Sequence, residues 1–135
     1  MSAQPEFAAT PKIWPGLPAT ADTSLGVSAP TAFVTLGTAG SKGSKLHRIV
    51  MNQVATIATA TVINLFMSDG SVYHLFETVN IPAFTVTTTN QQDFTKIFDR
   101  SYPDIDIQAT WSLRATVTTT SGQSAIKILA FVGDI

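Results

Sequence analysis

From residue 31 onward, the chain alternates short runs rich in Thr, Val, Ile and Phe with clusters of turn-forming residues. This pattern is typical of β-strands joined by tight loops. One stretch, Gln91–Arg100, spaces Phe94, Ile97 and Phe98 so that either a short helix or a bulged strand would fit. The remaining runs predict about eight strands, at residues 32–37, 45–54, 60–68, 71–78, 84–89, 105–107, 110–118 and 125–132. We therefore expect an all-β, antiparallel sandwich with a jelly-roll-like arrangement.

The clearest local pattern is a hairpin formed by Ala60–Ser68 and Ser71–Thr78 around Asp69-Gly70. An Asp-Gly pair suits a two-residue type I′ turn, because both central positions of that turn need positive φ. This hairpin and a second one, over residues 110–132, are expected to supply the core. The predicted core residues are Ile63, Leu65, Phe66, Tyr73, Leu75, Trp111, Leu113, Ile126, Ile128 and Phe131.

The first thirty residues have a different character, because they contain five of the seven prolines and only three charged residues. Proline fixes φ and removes a backbone donor, so neither a long helix nor a central strand is expected. We predict an extended arm over residues 1–30 and a β-sandwich domain over residues 31–135. The arm is too apolar for an ordinary disordered tail and should lie on a protein surface.

That surface is predicted to belong to neighbouring subunits, with packing of the arm on its own sheet as the alternative. Buried aromatic side chains dominate the binding energy of interfaces, which favours Trp14 as an anchor between subunits. The predicted subunit-interface residues of the arm are Phe7, Ile13, Trp14, Leu17 and Leu25.

Composition narrows the classes of function. Charged residues make up only 13% of the chain, about half the usual fraction, which predicts that part of the surface contacts protein. The net charge of −1 argues against binding to nucleic acid, which needs clustered Lys and Arg. The chain has no cysteine, no pattern of a secretory leader and no apolar stretch of spanning length, so we expect a protein folded in a cytoplasm without membrane contact.

Candidate chemistry is sparse. Asp104 and Asp106 would share one strand face, but no complete calcium loop surrounds them. His47 and His74 lack a third ligand for zinc, and Gly40–Lys45 lacks the spacing of a phosphate-binding loop. No Gly-x-Ser-x-Gly motif is present. The sequence therefore predicts neither an enzyme nor a metal or other cofactor.

The chain resembles the ending of small virion proteins of tailed bacteriophages. The resemblance lies in Trp111–Thr116, in Ile128–Asp134 and in the hairpin Leu65–Leu75. In that pattern two glycines often precede the final Asp, and Val132 replaces the first of them here. The resemblance covers roughly residues 46–134.

The resemblance implies a capsid cement or decoration protein that stabilises the head lattice. Its implied partners are the major capsid protein or neighbouring virion proteins, and a homodimer or homotrimer is expected, assembled in the cytoplasm of a bacterial host. One alternative is a component of the tail or the head–tail connector. A further alternative is a carbohydrate-binding module, in which Tyr73 and Tyr102 would stack on a sugar.

Overall fold

The computed structural model describes residues 10–27, 29–87, 89 and 98–135. These residues form two four-stranded sheets, and they contain no helix long and apolar enough to span a membrane. The predicted all-β sandwich is confirmed. The strands are β1 (Thr10–Gly16), β2 (Val34–Thr38), β3 (Ser44–Gln53), β4 (Thr61–Ser68), β5 (Tyr73–Ile81), β6 (Phe98–Ile107), β7 (Ser112–Val117) and β8 (Ile126–Asp134), with a 3₁₀ turn at Thr120–Gly122.

The strand order is that of a jelly roll. Sheet A has the order β1-β8-β3-β6 and sheet B the order β2-β7-β4-β5, with every neighbouring pair antiparallel. The first strand thus pairs with the eighth, the second with the seventh, the third with the sixth and the fourth with the fifth. A long hairpin rolled into two sheets gives these pairs, which confirms the jelly-roll-like prediction.

The main core lies between the two sheets, where alternate residues of each strand point inward. Five of the ten predicted core residues are buried there: Ile63, Leu65, Leu113, Ile126 and Ile128. Phe66 and Tyr73 are also buried, but on the outer face of sheet B. Leu75 and Phe131 lie partly exposed on outer faces, and Trp111 packs half-buried against the core.

β1 lies within the predicted arm and packs on the chain's own sheet, which is the alternative to packing on neighbouring subunits. It is an edge strand of sheet A, with Thr10–Gly16 paired to β8 along its whole length. Trp14 is only 7% exposed and belongs to the core, and its indole occupies the space that a Cβ at Gly37 would need. Pro11 and Pro15 are tolerated because one side of an edge strand needs no ladder hydrogen bonds. Residues 10–16 are therefore part of the sandwich.

Residues 17–27 and 29–33, the cover segment, pack on the same domain. Ala21 bridges Val117, and the Asp22 amide donates to the Val117 carbonyl at 2.8 Å. Gly26 has a φ of 98°, and a Cβ there would approach the Tyr73 carbonyl oxygen to 2.8 Å and Phe66 Cε1 to 3.4 Å. The cover segment thus lies against aromatic residues of sheet B, as the alternative of packing on its own sheet anticipated.

The turn between β4 and β5 differs from the predicted type I′ turn. Ser68 pairs with Tyr73, so four residues rather than two connect the strands. Gly70 has a φ of 106°, whereas Asp69 is not among the residues with positive φ. The Asp69 carboxylate instead accepts the amides of Ser71 and Val72, at 2.8 and 2.9 Å. This local capping by the side chain favours the longer turn.

The region after β5 also departs from the prediction. Phe84 makes one isolated bridge to Ile57, and the described residues between 84 and 89 contain no strand. Of the stretch Gln91–Arg100, where a helix and a bulged strand both fit the sequence, residues 91–97 lie outside the described residues and residues 98–100 lie in β6. β6 begins at Phe98 and runs through the predicted short strand at residues 105–107, so it is longer than expected.

Candidate interaction surfaces

The five predicted arm residues have different environments. Ile13 and Leu25 are 57% and 58% exposed, whereas Trp14 is buried in the core and Leu17 is half-buried. Phe7 lies outside the described residues. Trp14 therefore stabilises its own sandwich, and Ile13 and Leu25 are the exposed side chains among the four described members of this set. They lie on two different surfaces.

The first surface is an apolar groove at the β1–β8 end of sheet A, which we call the β1–β8 groove. Its centre is Ile13, which lies directly opposite Phe131 across the two strands. The alternating strand pattern puts Trp14 and Ala130, the next pair, on the inner side. The groove is lined by Pro11, Lys12, Ile13, His47, Phe131 and Val132.

The charges around this groove are paired. Arg48 lies over the Phe131 ring at 5.8 Å and binds Asp99 through two hydrogen bonds of 2.7 and 2.5 Å. These bonds lower the pKa of Asp99. Lys12 contacts Asp134 at 2.5 Å, and this contact, followed by the hydroxyl of Ser44, lowers the pKa of Asp134. The charges beside the groove are thus neutralised within the chain.

The second surface lies on sheet B around Tyr73, and we call it the Tyr73 patch. The Tyr73 ring meets Phe33 and Phe66 edge-to-face, with centroid distances of 5.7 and 5.8 Å. Arg114 on β7 lies over Phe33 at 4.5 Å and over Tyr73 at 5.2 Å. Its Nη1 donates to the Tyr73 hydroxyl and its Nε donates to Ser112 Oγ at 2.8 Å. These contacts hold the guanidinium in one orientation.

Asp22 fastens the cover segment beside this patch. Its carboxylate accepts the amides of Ser24, Thr31 and Ala32 at 2.8, 2.7 and 3.0 Å, and also the Thr31 hydroxyl at 3.0 Å. The hydrogen bond from the Ser24 amide is the largest cause of the lowered pKa of Asp22, followed by that from Ala32. One carboxylate thus links Ser24 to Thr31 and Ala32.

The two tyrosines considered for sugar stacking have restricted rings. Tyr73 is 7% exposed and is enclosed by Phe33, Phe66 and Arg114. Tyr102 is half-buried against Phe76, with a centroid distance of 6.3 Å. Its hydroxyl is buried and has no hydrogen-bond partner among the described residues, and this burial raises its pKa to about 12. Little of the Tyr73 ring face is available to a sugar.

The residues considered for metal binding lie apart. His47 lines the groove on sheet A, whereas the His74 ring stacks on Trp111 beside sheet B at 5.4 Å. Asp106 forms an ion pair with Lys45 at 2.8 Å. Among the described residues, no group of three or more His, Cys, Asp or Glu could hold a metal ion. Gly40–Lys45 leads into β3 rather than into a helix.

Two residues of the Tyr73 patch, Arg114 and Phe33, were missed by the sequence analysis. Arg114 lies between Leu113 and Ala115, and this alternation indicates an outward-facing cation in a buried strand. Phe33 precedes β2 and has no such pattern. Its position beside Tyr73 depends on the fold.

The chain was compared with protein-family models, curated proteins and solved structures, and none of the three comparisons found a match.

Proposed function

We propose that this chain is a non-enzymatic structural protein of a bacteriophage virion, most specifically a capsid cement or decoration protein. Two observations support the class. The segments Trp111–Thr116 and Ile128–Asp134 resemble the ending of small virion proteins, and jelly-roll sandwiches are frequent among viral capsid domains. Fold alone is a weak argument for function, so the proposal depends on the exposed apolar surfaces of the domain.

The observation that carries the proposal is the presence of two apolar surfaces on different sheets of one small domain. The β1–β8 groove exposes Ile13 on sheet A, and the cover segment exposes Leu25 on sheet B. A subunit with two such surfaces can bind two neighbours and so join them. Burial of each large apolar side chain contributes about 1.5–3 kcal/mol to such contacts.

The proposed partners are the major capsid protein or neighbouring virion proteins, together with further copies of this chain in a dimer or trimer. Assembly would take place in the cytoplasm of the bacterial host, and the mature location would be the virion. The net charge of −1 supports contact with protein rather than with packaged nucleic acid.

The copy number of the chain in purified particles tests the proposal. Quantitative mass spectrometry against the most abundant shell protein should give on the order of hundreds of copies for a lattice-wide cement protein. About a dozen or fewer would instead favour the tail or the head–tail connector, which follow a single symmetry axis. Absence from the particles would overturn the virion role.

Binding variants sharpen this test. Ile13→Asp and Leu25→Asp each place a charge on one of the two surfaces, so each should reduce binding to particles that lack the chain. Val54→Asp is the matched control, because Val54 is equally exposed but follows β3 away from both surfaces. If all three variants bind as the wild type does, neither surface is used.

A further inference from the structure

We infer that the Tyr73 patch is a docking surface for a partner protein segment that inserts a carboxylate between apolar side chains. The inference deepens the proposed function and rests on it for the identity of the partner. It depends on three features of the patch: exposed apolar residues, a fixed arginine and, among the described residues, no acid at ion-pair distance from that arginine.

Most of the large exposed apolar residues in the described part of the chain belong to this region. Of the seven, five are contacts, cross-strand partners or sequence neighbours of Tyr73, Phe66 or Gly26. Leu25 and Val27 flank Gly26, which lies against Tyr73; Leu75 is the cross-strand partner of Phe66. Scattered exposed hydrophobics are ordinary, but a cluster of this kind marks an interaction site. The five are Leu25, Val27, Phe33, Val72 and Leu75.

Arg114 supplies a positive charge within this cluster. Its two hydrogen-bond acceptors, the hydroxyls of Tyr73 and Ser112, are both neutral. Within the described residues, no carboxylate lies at ion-pair distance from Arg114. A guanidinium has five N–H donors, so three are left for a partner. The charge is therefore positioned but not neutralised.

Three acids lie close in sequence to residues of this patch, and each already has other partners. Glu77, two residues from Leu75, pairs with Arg100 at 2.5 Å. The Asp22 carboxylate accepts hydrogen bonds within the cover segment, and the Asp69 carboxylate accepts the amides of its own turn. Both carboxylates have a lowered pKa for this reason, with the bonds from Ser24 and Val72 as the respective largest causes. These bonds hold the two carboxylates in the cover segment and in the β4–β5 turn, respectively.

The chemistry of the patch fits a protein segment. A fixed guanidinium binds a carboxylate through two parallel hydrogen bonds, and apolar surroundings that exclude water strengthen the attraction. Arginine with aromatic neighbours is also the composition of interface hot spots. A nucleic acid needs several cations along a phosphate backbone, whereas the patch offers one cation surrounded by apolar side chains.

The experiment is selection of a random peptide display library on the immobilised full chain. We expect enrichment of peptides in which Asp or Glu is flanked by apolar residues. Arg114→Gln should weaken binding of the enriched peptides about tenfold or more, because it removes a charged partner from a partly desolvated contact. Arg48→Gln is the matched control, since Arg48 also lies over an aromatic ring but is paired with Asp99, and it should bind as the wild type does.

A second variant, Leu75→Asp, places a charge on an exposed apolar residue of the Tyr73 patch without removing a hydrogen bond to Tyr73. It should also weaken binding of the enriched peptides. Circular dichroism and thermal melting would show that each variant is folded. Failure of the library to enrich any peptide, enrichment of peptides without acids, or equal binding by Arg114→Gln would each overturn the inference.

The virion role and the docking surface can be tested separately. If the chain is missing from purified particles but binds acidic peptides through Arg114, the docking surface stands and the virion role falls. If the chain is abundant in particles and Arg114→Gln binds them as strongly as the wild type does, the virion role stands and the docking surface falls.

Discussion

Arg48 and Arg114 lie on the outer faces of the two sheets, and each lies over an aromatic ring. Arg48 on sheet A is held by Asp99 through two hydrogen bonds. In the described part of the chain, the hydrogen-bond acceptors of Arg114 on sheet B are neutral hydroxyls. Among the described residues, the charge of Arg48 therefore has an acidic partner and that of Arg114 has none. The difference indicates that the charge of Arg48 is satisfied within the described chain, whereas that of Arg114 is available for a partner.

The two faces also differ in how the chain covers them. On sheet A, Phe131 is half-buried and Ile13 beside it is exposed. On sheet B, Phe66 is fully buried although it points away from the main core, because the cover segment lies against it. The N-terminal region therefore contributes differently to each sheet: β1 extends sheet A, and the cover segment shields sheet B.

The largest expected effect is a loss of stability when Trp14 in β1, the edge strand of sheet A, is replaced. Trp14→Ala removes a buried indole from the core and should lower the free energy of unfolding by about 3–5 kcal/mol. Ile13→Ala, one residue away on the same strand, removes an exposed side chain and should lower it by less than about 1 kcal/mol. Denaturant unfolding of both variants measures the difference. Equal stability of the two variants would contradict the core role of Trp14 and favour its predicted role in contacts with a neighbouring subunit.

The alternating pattern predicted the central strands well. The prediction of a strand at residues 45–54 compares with β3 at Ser44–Gln53, and residues 125–132 compare with β8 at Ile126–Asp134. β1 was not predicted as a strand, because prolines weaken the strand pattern in Thr10–Gly16. Its partner β8 is more than a hundred residues away in sequence, so only the folded topology reveals that this edge is available.

The interaction surfaces were less predictable for a related reason. Sequence alternation places Arg114 on an outer face, but its lack of an acidic neighbour depends on which strands are adjacent. Tyr73 illustrates the same limit, since its strand position is evident but its enclosure by Phe33 and Gly26 is set by a distant segment. Local pattern gives the direction of a side chain, and tertiary contacts decide what it meets.

A smaller effect is expected from the Asp22 contacts that fasten the cover segment on sheet B. Asp22→Asn weakens the acceptor of several backbone amides and should lower the free energy of unfolding by about 1 kcal/mol. The loss is small because water can hydrogen-bond to these exposed or partly buried amides. The matched control is Asp106→Asn, which removes a carboxylate from an exposed ion pair with Lys45 and should change stability less.

The effect of Asp22 should depend on pH with a definite sign. The pKa of Asp22 is lowered in the folded protein, so its stabilisation is present above the ordinary value of 3.8 and is lost as the pH falls through the lower folded-state value. Thermal melting of the wild type and Asp22→Asn should therefore differ at neutral pH and converge in strong acid. A difference that persists in strong acid would show that the carboxylate charge is not what fastens the cover segment.

The smallest expected effect tests the difference between Arg48 and Arg114 through the salt dependence of protein stability. Arg48→Gln leaves Asp99 without its cation, so its small loss in melting temperature should shrink as salt screens the wild-type pair. Arg114→Gln removes a cation that has no acid partner in the described chain, so it should not produce that salt-dependent loss. Melting of both variants at low and high ionic strength measures this contrast. A loss with Arg114→Gln that shrinks with salt as it does for Arg48→Gln would mean that an acid of the same chain neutralises Arg114, which would leave no charge for a docking partner.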